Sequence, residues 1–208
     1  MTVVERLPLS RERIADTALQ FIDDHGLAAL SMRKLGAELG VEAMSLYNHV
    51  ANKDDLLDSV GNALYTQVLV AYGDPAGDWR TKARRIAASY VEVASAHPRA
   101  LPVLLNRSPE ALARLEFLDR VVAIFDDVTE DLRVAALAFS VVANWVVGTL
   151  VQQFDAASGD APEPAVEGFE RVAAFRMALL VEIGRDERFE EGLEAVLDGI
   201  ASRYFPAD

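Results

Sequence analysis

Between Ser31 and Lys53 the chain reads SMRKLGAELGVEAMSLYNHVANK. Within it Arg33, Lys34 and Lys53 are cations, Ser45 and Tyr47 carry hydroxyls, Asn48 an amide and His49 an imidazole. Ala43 and Met44 add apolar contacts of the kind a thymine methyl accepts. This set suits recognition of phosphates and base edges. Bond-making chemistry is not indicated elsewhere. Beyond residue 60 there is one histidine, His97, placed before Pro98. No nucleophile–base pair, glycine-rich phosphate loop or Asp/Glu/His metal cluster occurs at helical spacing. The run Glu190, Glu191 and Glu194 reads as a solvated helix face. Neither an enzyme nor a metal or cofactor site is expected.

The elements that must position these groups are helices. Leu35 and Leu39 point inward from one short helix and Leu46 from the next, with a Gly40-Val41 turn between them, which is helix-turn-helix spacing. Upstream, Ser10 caps a helix with Ile14, Ala15, Ala18, Leu19 and Phe21/Ile22 on one face, and Gly26 ends it. Ser31 caps the second helix, with Leu30 placed to staple onto Leu35. Asn52 caps a fourth helix whose first turn, Lys53-Asp54-Asp55, puts two carboxylates at the positive end of the dipole. That helix is predicted to run to Tyr72 and the next from Trp79 to Ala96. Then come a short apolar segment at Leu101–Leu105, a helix from Ser108 to Phe125 and a long apolar helix from Thr129 or Glu130 to Phe154. Asp155–Pro164 reads as a loop, with final helices at Val166–Ile183 and Arg188–Tyr204. The pattern predicts an all-α protein of nine or ten helices. A three-helix head at residues 1–60 carries the helix-turn-helix, and a larger helical body at 61–208 binds effector and dimerises.

Charge argues against a broad electrostatic attraction to DNA. The net charge is −13, and residues 1–60 hold six Lys/Arg against ten Asp/Glu. Binding must come from a local basic surface. With no cysteine the chain has no disulfides, and a reducing, cytoplasmic setting is expected, with no signal peptide. Val134 to Val151 contains no charge, but Ser140, Asn144, Gly148 and Thr149 interrupt it, and its flanks are acidic with only Arg133 basic, so no positive-inside signal appears. It is read as a helix buried between protein surfaces, not a membrane span.

The residues after the turn, Leu46-Tyr47-x-His49-Val50 with Asn52-Lys53 and Leu56-Leu57, resemble the TetR family of transcriptional regulators, in its tetracycline-repressor subclass. The resemblance is close over residues 10–60 and looser in the body, where Phe189-x-x-Gly192-Leu193-Glu194-x-x-Leu197-x-Gly199 looks like that subclass's last helix. It implies a repressor that binds a palindromic operator in double-stranded DNA as a homodimer and is released by a small molecule. The second helix of the motif then offers Ala43, Met44 and Ser45 to the major groove, with Asn48 suited to adenine and Tyr47, His49 and Lys53 to phosphates. The resemblance makes Arg33 a base reader, while Lys34 is read either as a DNA-backbone contact or as a solvated cation. Met44 departs from the proline common there.

In the body the resemblance places Ile86, Tyr90, Leu104, Arg107 and Asn144 near the effector cavity, and Phe117, Val121 and Phe139 are expected to line it. Ser140 and Asn144 form a polar stripe expected to be buried and to need partners. Leu69 and Leu104 stand where the resemblance leads one to expect the histidines that hold a magnesium–tetracycline complex. The expected effector is therefore largely apolar and needs no metal. Val141 and Trp145 on the long helix, with Leu193, Val196, Leu197 and Ile200 on the last, are expected to form the dimer interface. Two competing readings are a helical enzyme or chaperone-like bundle with an incidental helical corner, and a DNA-binding protein that takes no effector.

Overall fold

The computed structural model describes residues 8–106, 112–157, 171–172 and 184–205. Those residues are helical, without a strand among them. The helices are α1 Arg11–His25, α2 Met32–Leu39, α3 Ala43–Leu46, α4 Lys53–Tyr72, α5 Trp79–Ala96, α6 Leu101–Asn106, α7 Leu112–Ala123, α8 Leu132–Ala157 and α9 Arg185–Tyr204. The expected helix at 166–183 lies almost wholly outside the described residues.

Local capping chemistry sets the helix starts. The side chains of Ser10, Ser31 and Asn52 accept from the backbone N–H groups of Arg13, Lys34 and Asp55, satisfying donors that a first turn leaves without partners. Gly40 ends α2 at φ 68°, a left-handed conformation that glycine adopts without steric cost. Several boundaries differ from expectation: α7 ends at Ala123 rather than Phe125, and α9 starts at Arg185 rather than Arg188. The segment after His97 forms a 3-10 turn and then α6. Helix α8 starts at Leu132 because Asp131 caps it, its carboxylate accepting from the Arg133 N–H at 2.8 Å. It also runs past Phe154 through the helix-forming Ala156 and Ala157.

Packing divides the chain into two compact units, one of residues 1–74 and 88–120, the other of 75–87 and 121–208. In the first, Ile14, Ile22, Leu35, Leu46, Leu56 and Leu64 are fully buried, each worth roughly 1.5–3 kcal/mol relative to exposure. In the second, α8 packs on α9 through Val142, Val146 and Leu150 facing Leu193, Leu197 and Ile200, all buried. Trp145 lies against Gly192, where a Cβ would meet its ring. Arg84 grips both carboxylate oxygens of Glu194, and Arg80 pairs with Asp198 one turn along. Trp79, Phe125 and Phe205 pack together, with centroids 5.3 to 6.2 Å apart.

The side chains of Leu193, Leu197 and Ile200, expected at a subunit interface, are buried within the single chain. Ser140 and Asn144 are exposed in the single chain, on the face of α8 turned away from α9. The Ser140 hydroxyl donates to the Ala136 carbonyl at 2.7 Å. Leu132–Gln152 is long and apolar enough to cross a membrane by length and composition alone.

Candidate nucleic-acid interface

The head presents α3 by burying what lies beneath it. Leu46 and Val50 are buried, so the opposite side of the short helix must face out. Met44 is 71% exposed and Tyr47 44%. Asn48, Arg33 and Lys34 are exposed too, while Ala43, Ser45, His49 and Lys53 are half-buried. Only Ala43–Leu46 is α-helical, and Tyr47–His49 continue as a turn.

The junction of α2 and α3 is close. The Val41 N–H donates to the Gly36 carbonyl at 2.8 Å. A Cβ on Gly36 would stand 2.9 Å from the Val41 carbonyl oxygen and 3.1 Å from the Ala43 nitrogen. Glycine at 36 is therefore required by close backbone approach, a tertiary demand with no local signature.

Two of the three cations rest on backbone. Lys34 Nζ donates to the Ala29 carbonyl at 3.1 Å, and Lys53 Nζ to the Leu30 carbonyl at 2.7 Å. An ammonium has three donors, so each retains two for an incoming phosphate. These bonds pin α2 and α4 to the turn between α1 and α2.

Arg11 carries no signal in the sequence, yet it ties this surface together. It pairs with Asp55, donates to the His49 carbonyl at 3.2 Å, and reaches Ser59 Oγ at 2.9 Å. Asp55 in turn accepts from the Ala51 N–H at 2.7 Å. That backbone hydrogen bond, with the Arg11 guanidinium, holds the Asp55 carboxyl below the usual carboxylate range. The start of α1, the end of the α3 turn and the start of α4 thus meet at one ion pair.

Of the residues expected to meet an effector, Tyr90 and Phe117 come together in the first unit around Tyr65. The three ring centroids are 5.4 to 6.3 Å apart. Tyr65 donates to the Leu104 carbonyl at 3.4 Å, and the Arg114 guanidinium lies 5.9 Å from its ring centroid. Burial pushes the Tyr90 phenol well above its ordinary pKa, so it stays neutral. Tyr65 escapes sequence reasoning because it reads as one more core residue of α4. Ile86 and Val121 are buried in the second unit, where Phe139 and Asn144 are less covered. Arg107 lies outside the described residues. Two open grooves in the first unit, of about 500 and 450 Å³, are lined by none of the three rings. Among the described residues no three His, Cys, Asp or Glu side chains gather in a metal-binding cluster.

Comparison with known proteins covers both parts of the chain. Residues 14–60 match the family described as "Bacterial regulatory proteins, tetR family", and 73–204 the one described as "Tetracyclin repressor-like, C-terminal domain". An HTH-type transcriptional regulator of Saccharopolyspora erythraea is 33% identical over 68% of this chain, a match spanning 60% of that relative's length. The class C tetracycline repressor of Escherichia coli is 27% identical over 92% of this chain and 90% of its own. Among solved structures, the TetR family protein ActR of Streptomyces coelicolor, in complex with actinorhodin, superposes with a TM-score of 0.78 at 26% identity, covering 96% of this chain and 100% of that one.

Proposed function

The chain belongs to the TetR family of transcriptional regulators, and we propose that it is a repressor that grips a palindromic operator as a homodimer and lets go when a small, largely apolar effector binds. Residues 1–60 read the DNA, and residues 61–208 bind the effector and dimerise. The observation that carries this reading is the exposed α3 surface. Met44, Tyr47 and Asn48 stand out from a buried base, with Arg33 on the preceding helix and Lys34 and Lys53 beside them. These cations supply local positive charge in a chain of net charge −13, and a few phosphate contacts are enough to position a reading helix.

The dimer surface is the outward face of α8. Leu137, Val141, Asn144, Gly148 and Val151 succeed one another at alternating spacings of four and three, and Leu137, Val141 and Val151 are 51%, 43% and 40% exposed. Such a seam is what a second copy of the same helix covers. Leu193, Leu197 and Ile200 support it from behind. Asn144, expected on sequence at the effector, is here the polar residue within the seam.

The effector class rests on chemistry. Tyr65, Tyr90 and Phe117 form a buried aromatic cluster between which an apolar ligand would insert, and Leu104 is a buried aliphatic group where a metal-bound drug would need a ligand. A relative solved with actinorhodin and another named a tetracycline repressor are in keeping with a small-molecule effector. The reading is tested by selection from random duplexes with the full-length protein. Recovery of an inverted repeat with half-sites about 34–36 Å apart is expected. Enrichment of no sequence would reject it.

A further inference from the structure

His97 looks on sequence like a loop histidine, but it sits at the centre of a cluster no part of the DNA-reading face uses. Its Nδ1 is 2.7 Å from Asp23 Oδ2 near the end of α1, and its Nε2 is 3.0 Å from Gln67 Oε1 on α4. An imidazolium donates to both oxygens. A neutral ring keeps both contacts if the Gln67 amide turns its NH2 toward Nε2. Two residues on, one nitrogen of Arg99 donates to the Asp23 carbonyl at 2.8 Å and the Asp24 carbonyl at 2.6 Å. A cation is favourable there, at the negative end of the α1 dipole. Asp23 Oδ1 is buried without a hydrogen-bond partner, so His97 supplies the side-chain contact on which this carboxylate depends.

We infer that His97, with Asp23, Gln67 and Arg99, is a positioning cluster that fixes the head's first helix against α4 and so sets where the reading helix points. The inference rests on the operator-binding function proposed above and adds a residue set to it. The geometry is directional. One ring spans two helices, and a second side chain holds the end of one of them, so α1 cannot roll or slide past α4 without breaking contacts of 3.0 Å or less. The cluster also has a reason to respond to events elsewhere in its unit. Residues 97–100 lead directly into α6, whose Leu104 carbonyl is held by Tyr65, and Tyr65 packs on Tyr90 and Phe117. A shift of α6 would pull on His97 and Arg99 through the short 3-10 turn that joins them.

The test uses the full-length protein, the selected palindromic duplex, and the same duplex with one base pair inserted between half-sites. His97→Ala and Arg99→Met are expected to reduce discrimination between the two duplexes about tenfold, the scale of a charge-assisted hydrogen bond. Binding to random-sequence DNA should stay at the wild-type level. His97→Gln, whose amide can still donate to Asp23, should restore part of the discrimination. Because His97→Ala leaves a buried carboxylate, the double variant Asp23→Ala/His97→Ala is included. It should melt close to wild type yet still confuse the two spacings. Wild-type discrimination in the double variant and Arg99→Met overturns the inference, as does an equal loss on random and specific DNA. A wild type that selects no spaced operator would instead reject the parent function, and this inference with it.

Discussion

At the scale of single residues, the proposed function gives the head's cations separable duties. Lys53 holds the Leu30 carbonyl with one donor and keeps two free. Lys53→Ala is expected to weaken binding to every sequence and to lower the slope of log affinity against log salt by about one unit. Arg33→Ala should lose about 1–3 kcal/mol at one base pair and little elsewhere. Affinities measured across a panel of single-base operator variants separate the two, and identical profiles for both would show the face misassigned. Asp55 yields a prediction in pH. Its folded-state pKa lies below the unfolded value, chiefly through the Ala51 N–H and then Arg11. Its contribution is therefore complete above the unfolded value near about 3.9 and is lost as pH falls through the folded one. Asp55→Asn should melt below wild type at neutral pH, and the gap should narrow near about pH 3. A gap that widens in acid would contradict the assignment.

At the scale of elements, the features legible in sequence are the local ones. Ser10, Ser31 and Asn52 announce helix starts because a cap bonds its own first turn. Helices α4 and α5 end where Gly73 and His97-Pro98 say they should. The features that sequence hides depend on partners far along the chain. Gly36 looks like a weak helix residue until α3 is seen against it. His97 meets Asp23, 74 positions earlier. The stripe of Leu193, Leu197 and Ile200 is apolar either way, and no spacing rule says whether its own α8 or a second subunit covers it. The close approach at Gly36 predicts that Gly36→Val forces α3 away. The expected cost is about 1–3 kcal/mol of head stability, as for other overpacked sites, with a matching fall in operator affinity. An unchanged melting curve and affinity would mean that the turn is looser than its distances imply.

At the scale of the whole molecule, the proposed function needs two copies acting together, with α8 as the proposed surface. Val141→Glu places a carboxylate on a face that is exposed in the single chain, so folding should survive. Within the seam it would be buried without a partner, at a cost on the order of 3–5 kcal/mol. Sedimentation should then report a folded monomer with lost operator affinity. A dimer of wild-type strength would move the interface elsewhere. Release of DNA demands that the effector prefer the non-operator conformation, since a ligand binding both equally shifts nothing. On the proposed reading, the aromatic triangle and the aliphatic Leu104 favour an apolar ligand held without metal. The deciding experiment is a titration of the protein–operator complex with planar aromatic compounds, in the presence and absence of a chelator. Dissociation should be saturable and indifferent to the chelator, and reduced in Tyr90→Ala while that variant's operator affinity without ligand persists. Release that requires divalent metal, or Tyr90→Ala losing DNA binding and ligand response together, would contradict an apolar effector held by the aromatic triangle.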